Sequence, residues 1–136
     1  MGTRSLTVFI DQAGKEIAVM YRQFDGYPEG HGKDLADFLT GMKIVNGMRG
    51  DDSPKIANGM SCLTAQVVAH FKKEPGNIYI YPAGTRNTGE KYIYFVSGKT
   101  DDIEPTIMVD CDKQGKFEGH ASEFNAFLTS LSTETN

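Results

Sequence analysis

The sequence lacks most features that mark secreted, membrane-spanning or disulfide-bonded proteins. It contains no tryptophan and only two cysteines, Cys62 and Cys111, which are far apart and have no second pair beside them. Two such thiols fit a reducing compartment better than a disulfide framework. No apolar run approaches the ~20 residues of a membrane helix, and the N-terminus lacks the apolar segment of a signal peptide. We therefore expect a cytoplasmic protein without a membrane partner.

Basic runs and metal-ligand spacings are also missing. Lysine and arginine number 14 against 18 aspartates and glutamates, which gives a net charge of −4. Proteins that bind duplex nucleic acid present a basic patch or stripe, so we expect no duplex partner. The three histidines, His31, His70 and His120, do not follow the spacing of zinc ligands. We expect neither a metal nor a cofactor.

The first 23 residues contain the clearest strand pattern. Residues 4–23 predict a β-hairpin, because a single register places apolar side chains opposite each other on one face. In that register Val8 faces Val19, and Asp11 faces Glu16 beside the turn.

Three later segments carry apolar residues at helical spacing, and each predicts an amphipathic helix. The first runs from about Gly32 to Gly41. The second carries Met60, and the third begins after the capping residue Ser122. The stretch 46–58, between the first two helices, is expected to be irregular.

A second hairpin is predicted for residues 77–82 and 91–97. Strand alternation within this hairpin places four tyrosines on one face of the sheet. That face could be covered by a helix, form an interface between copies, or stack a ligand base. The tyrosines are Tyr79, Tyr81, Tyr92 and Tyr94.

A last strand pair, 106–110 and 116–118 with a turn at 112–115, completes the predicted order ββααββββα. This order indicates the α+β class, with a mainly antiparallel sheet of about six strands and two to three helices packed on it. We expect a single domain over residues 1–136, whose tail at 132–136 is frayed.

The strongest candidate site is the glycine-rich loop, residues 23–32, at the open end of the first hairpin. Two arginines lie at its root, and a helix begins at its exit. Free N–H groups at a helix start and a nearby arginine both stabilise an anion, so we expect a phosphate-bearing ligand there. The alternative is that Arg4 pairs with Asp25 and merely holds the loop shut. The predicted ligand-binding residues are Arg4, Arg22, Gln23, Asp25, Tyr27, His31, Arg86 and Tyr92.

Two segments resemble a family of small proteins encoded by bacteriophages and prophages. They are residues 1–5, which read Met-Gly-Thr-Arg-Ser, and residues 21–32, which read Tyr-Arg-Gln-Phe-Asp-Gly-Tyr-Pro-Glu-Gly-His-Gly. The resemblance extends to residues 58–60 and 75–79 and so covers most of the chain. It implies no activity. It implies a context in the host cytoplasm, where small phage proteins counter host defence by sequestering a nucleotide signal or by occluding a host protein.

These features favour a non-enzymatic, phage-type binding protein that forms homo-oligomers and captures a small phosphate-bearing nucleotide or cyclic nucleotide signal. A first alternative is an inhibitor or adaptor that binds a host protein. A second alternative is a small hydrolase in which Asp25 and His31 act as base and acid. No nucleophile with an obvious partner accompanies those two residues, so we expect no catalytic residue.

Overall fold

In the described part of the chain, a six-stranded sheet, a two-stranded sheet and three α-helices make up the fold. The computed structural model describes residues 2–47, 55–100, 102–111 and 115–134. In chain order the elements are β1 (Ser5–Ile10), β2 (Glu16–Arg22), α1 (Lys33–Leu39), β3 (Lys43–Val45), β4 (Ile56–Asn58), α2 (Gly59–Phe71), β5 (Ile78–Tyr81), β6 (Tyr92–Ser97), β7 (Thr106–Asp110), β8 (Lys116–His120) and α3 (Phe124–Glu134).

The main sheet has the strand order β5-β2-β1-β6-β7-β8, and β3 pairs with β4 in a separate small sheet. The predicted α+β class is therefore confirmed. The main sheet is mixed, because β1 and β6 run parallel while its other neighbouring strands run antiparallel.

Two expectations about local structure need adjustment, and a third falls outside the described residues. β4 forms within the stretch 46–58 that was expected to be irregular, and residues 48–54 of that stretch lie outside the described part of the chain. α3 continues to Glu134, so the backbone at 132–134 is helical where a frayed tail was predicted. The predicted turn at 112–115 lies outside the described residues except for its last glycine.

The first hairpin follows the predicted register over most of its length. Val8 lies opposite Val19, as the alternation required. Near the turn a bulge shifts the pairing, so that Ile10 rather than Asp11 lies opposite Glu16. The cause is the side chain of Asp11, whose carboxylate accepts two backbone N–H groups of the turn at 2.9 Å and closes it early.

The second predicted hairpin is wrong. Both strands exist, but β5 pairs with the outer side of β2, whereas β6 pairs with β1. Since β5 and β6 then run parallel, residues 82–91 cross over β2 and β1 instead of turning back. Tyr79 and Tyr81 consequently point to the opposite sheet face from Tyr92 and Tyr94, and the predicted face of four tyrosines does not exist.

The sheet buries side chains on both faces. One face packs against the helices and contains the larger core cluster, with Phe9, Met20 and Tyr94 completely buried. The opposite face holds a smaller cluster around Val8 and Val19. The crossover 82–91 runs over this second face. We find no helix among the described residues that has the length and apolar character to cross a membrane.

Candidate functional site

The glycine-rich loop is anchored to the sheet through its centre. The N–H of Gly26 donates to the carbonyl of Thr3 at 2.9 Å, and the carbonyl of Gly26 accepts the hydroxyl of Tyr94 at 2.7 Å. Asp25 has a φ of 62°, and its carbonyl accepts the N–H of His31 at 2.7 Å. The loop is thereby held at the end of β2 from which the side chain of Arg22 projects.

The end of the loop is a single π-helical turn, Pro28–Gly32, that leads directly into α1. The N–H of Lys33 is bonded to the carbonyls of Gly30 and Pro28, and the N–H of Gly30 donates to Tyr27 at 2.9 Å. The N–H of Lys33, the first residue of α1, therefore already has acceptors within the loop and is not one of the free N–H groups on which the predicted anion site depends.

Arg22 is the centre of the side-chain network in this region, and its side chain is only 12% exposed. Its Nε donates to the carbonyl of Phe24 at 2.7 Å, and its Nη1 donates to Asp34 at 3.2 Å and to Nδ1 of His31 at 3.2 Å. The carboxylate of Asp25 lies 3.9 Å from Nη2, beyond hydrogen-bond distance. The two N–H donors of Nη2 therefore have no hydrogen-bond acceptor among the described residues.

His31 is completely buried, and both of its ring nitrogens are occupied. Arginine can only donate, so Nδ1 must accept from Arg22, and the ring proton of the neutral form must lie on Nε2. Nε2 then donates to the hydroxyl of Thr7 at 2.6 Å. Burial, assisted by the charge of Arg22, lowers the pKa of His31 to about 3. The ring of His31 is therefore enclosed, and its nitrogens are bonded to Thr7 and Arg22 rather than to Asp25.

A groove of about 580 Å³ adjoins this network, between α1, the end of α2 and residues 76–78. We call it the Arg22 groove. Its aromatic lining consists of Phe71, whose ring centre lies 5.7 Å from the guanidinium carbon of Arg22, and a stacked pair of Phe38 and His70 with centroids 4.3 Å apart. One end of the groove thus carries a cation, and its walls offer flat apolar surfaces.

Among the residues that the structure describes, the charges that line the Arg22 groove balance, but they are not equally available. Asp34 is bonded to Arg22, and Asp37 is bonded to Lys33 at 2.8 Å. Lys73 is exposed at the rim, and its charge acts with burial, the larger cause, to lower the pKa of His70. The charged lining residues are Arg22, Lys55, Lys73, Asp34, Asp37 and Glu74.

The sequence-predicted site residues fall into two groups. Arg22, Asp25 and His31 meet directly, as described above. Tyr27 adjoins them and donates to Asp25 at 3.3 Å, whereas the side chain of Gln23 accepts the hydroxyl of Tyr21 at 3.0 Å and so lies with the smaller cluster on the opposite sheet face. The carboxylate of Asp25 also raises the pKa of Tyr27.

The remaining three predicted residues lie elsewhere. Arg4 extends beside Gly89 of the crossover, on the face opposite Arg22. Arg86 pairs with Glu16 on that face, and Tyr92 is half-buried against the helix-side core. The predicted Arg4–Asp25 pair is therefore wrong, and Arg22 is the arginine that holds the loop shut.

The opposite wall of the groove was missed by sequence reasoning. Asn77 has a φ of 64°, and its side-chain oxygen accepts the N–H of Phe24 at 3.1 Å. The sequence Pro75-Gly76-Asn77 signalled the end of a helix, but nothing local indicated that β5 returns to β2 and brings Asn77 beside the loop. Phe71 and Asp34 likewise belonged to predicted helices without a predicted role.

No group of three or more histidine, cysteine, aspartate or glutamate side chains is placed to hold a metal ion within the described ranges. Comparisons with known proteins found no matching family model, no matching curated protein and no matching solved structure. The function therefore has to be argued from the geometry of the Arg22 groove.

Proposed function

We propose that this protein is a non-enzymatic binding protein that captures a small phosphate-bearing nucleotide or cyclic nucleotide in the Arg22 groove. One observation carries the proposal: a largely buried guanidinium lies at a groove with aromatic walls, and its Nη2 group, 3.9 Å from the carboxylate of Asp25, makes no hydrogen bond within the described residues. Phosphate oxygens accept hydrogen bonds from guanidinium groups, and bases stack on aromatic rings. The volume also lies within the ~300–1,000 Å³ typical of small-ligand sites.

The two halves of such a ligand match different parts of the groove. The phosphate would take the Nη2 donors of Arg22, with Lys73 supplying further positive charge from the rim. The base would lie against Phe71 or the Phe38–His70 pair. Asp34 is the internal competitor of the phosphate, because it already shares Arg22.

Capture without turnover fits the chemistry of the loop. His31 is neutral and has no access to a ligand, so the proton-transfer group of the hydrolase alternative is missing from the surface. The sequence resembles a family of small phage proteins. In that context, a stoichiometric binding protein would act by removing a host signal from solution. Sequestration by a cytoplasmic protein is therefore the mode of action that we propose.

The test is calorimetry with ADP-ribose and a set of cyclic nucleotides, using adenosine and inorganic phosphate as half-ligands. We expect saturable binding of at least one complete ligand and weaker binding of either half. Arg22→Gln removes the charge and the Nη2 donors and should weaken binding about tenfold or more. Absence of heat and of any thermal stabilisation across the whole set would refute the proposal.

Two exposed lysines provide a matched pair of variants. Lys73 lines the groove, whereas Lys116 lies on β8. Replacing either lysine by glutamine removes one positive charge. We expect Lys73→Gln to weaken binding about two- to fivefold, whereas Lys116→Gln leaves it unchanged. Equal losses in both would mean that net charge alone attracts the ligand.

Capture of a host protein is the second candidate, and the outer edge of the sheet favours it. Tyr79 and Ile80 of β5 are 45% and 52% exposed, and Tyr79 packs against Tyr21 with centroids 5.8 Å apart. Exposed tyrosines and aliphatic side chains at an edge are typical of protein interfaces. A host-lysate pull-down that recovers one stoichiometric partner, lost in Ile80→Ser but retained in Arg22→Gln, would support this candidate. Light scattering on the same samples tests the expected homo-oligomer.

A further inference from the structure

We propose that His31, held by Thr7, is the positioning residue of the Arg22 groove: its ring fixes the guanidinium of Arg22 in the orientation that a ligand uses. The inference rests on the proposed function, because it assigns how the site is preorganised. It assigns no ligand contact to His31, which is completely buried. Thr7, His31 and Arg22 form a continuous chain of hydrogen-bonded side chains from the sheet to the groove.

The first step is the attachment of the ring to the sheet. Thr7 lies in β1, in the middle of the sheet, and is completely buried, as is His31. Their 2.6 Å hydrogen bond ties the loop residue to a strand in the interior of the sheet. The tautomer itself is set by Arg22, which can only donate to Nδ1, and the proton on Nε2 then uses the hydroxyl of Thr7 as its acceptor.

The second step is the immobilisation of the ring by packing. The ring centroid of His31 lies 5.1 Å from that of Phe71 in α2 and 5.0 Å from that of Tyr94 in β6. Together with Thr7 of β1 and Arg22 of β2, these side chains face the ring from four elements. A ring enclosed in this way presents Nδ1 in one fixed direction.

The third step is the effect on Arg22. An arginine side chain has several freely rotating bonds, and ordering it on ligand binding costs free energy. Here Nε of Arg22 donates to the carbonyl of Phe24, and Nη1 donates to Nδ1 of His31 and to the carboxylate of Asp34. The plane of the guanidinium is thus set before a ligand arrives, and Nη2 is the group that remains for recognition. His31 is the buried member of this set, so its contribution does not compete with solvent.

Two substitutions at His31 test whether the acceptor at the position of Nδ1 is what orders Arg22. His31→Asn keeps an acceptor oxygen near the position of Nδ1, whereas His31→Leu keeps the apolar volume and removes the acceptor. With ADP-ribose and cyclic AMP as probes, we expect His31→Leu to weaken binding about tenfold and His31→Asn to restore most of it. Thr7→Val, which removes the hydroxyl partner but keeps the side-chain shape, should give an intermediate loss and serves if His31→Leu does not fold.

A readout without ligand keeps this inference separate from the proposed function. In nitrogen-15 spectra of the free protein, we expect the His31 ring to show the Nε2–H tautomer and the Arg22 guanidinium to show slow rotation, which becomes fast in His31→Leu. An Arg22 guanidinium that is equally ordered in wild type and in His31→Leu would overturn the inference, as would unchanged probe affinity. If wild type binds no member of the ligand set, the proposed function fails, and the spectra alone decide whether His31 positions Arg22.

Discussion

Glu104 is a buried carboxylate whose removal should destabilise the fold in a pH-dependent way. It is 5% exposed, and its two oxygens accept the N–H groups of Gly41, after α1, and of Ser122, at the start of the turn before α3. Burial alone would raise the pKa of Glu104, but the hydrogen bonds from Ser122 and Gly41 outweigh it and hold the pKa below the ordinary 4.5. One carboxylate therefore links two helical segments.

The magnitude follows from the hydrogen bonds. Glu104→Gln keeps one acceptor oxygen but turns an N–H donor toward the other backbone N–H. The loss of one bond to a charged group costs about 1.5–3 kcal/mol, so we expect the free energy of unfolding at pH 7 to fall by about 2–3 kcal/mol. The measurement is urea denaturation, with the exposed Glu118→Gln as the control, which should change stability by less than ~0.5 kcal/mol.

The sign of the pH dependence is fixed by the lowered pKa. The stabilisation by Glu104 is complete above pH 4.5 and is lost as the pH falls through the folded-state pKa. The difference between wild type and Glu104→Gln should therefore shrink below pH 4.5. A difference that is absent at pH 7, or that stays constant down to acid pH, would refute this reasoning.

Two further predictions concern the loop and the groove. Asp34→Asn removes the carboxylate that shares Arg22, so phosphate-bearing probes should bind about two- to fivefold more tightly in calorimetry; weaker binding would show that Asp34 helps the ligand. Gly32→Ala would place a methyl group 2.7 Å from the ring of buried Phe124, and we expect a loss of about 1–3 kcal/mol in urea denaturation. Unchanged stability of Gly32→Ala would mean that the loop moves freely away from α3.

Local patterns predicted those parts of the fold in which partners are close in sequence. The first hairpin succeeded because Val8 and Val19 are joined by a short turn and one register buries a whole face. The pairing of β5 and β6 failed for the opposite reason. Alternation tells which side chains share a face of a strand, but it does not tell which neighbour the strand takes, and Tyr81 pairs with Val19 over a long separation in sequence.

The candidate site shows the same division. The loop and its arginine were found from sequence, because glycines and polar residues clustered at the end of a hairpin. The burial of His31 could not be predicted, since it depends on Tyr94 and Phe71, which are distant in sequence. The groove itself exists only because α2 and β5 return to β2, which no local pattern encodes.

The measurement that tests the central claim most directly is an amide and side-chain NMR titration of the full chain with ADP-ribose and cyclic AMP. If the Arg22 groove binds the ligand, the Arg22 Nε–H resonance and the backbone amides of residues 71–77 should shift in proportion to occupancy. The amide resonances of the crossover 82–91, on the opposite sheet face, should not shift. Shifts confined to that crossover, or no shifts at saturating ligand, would contradict the account.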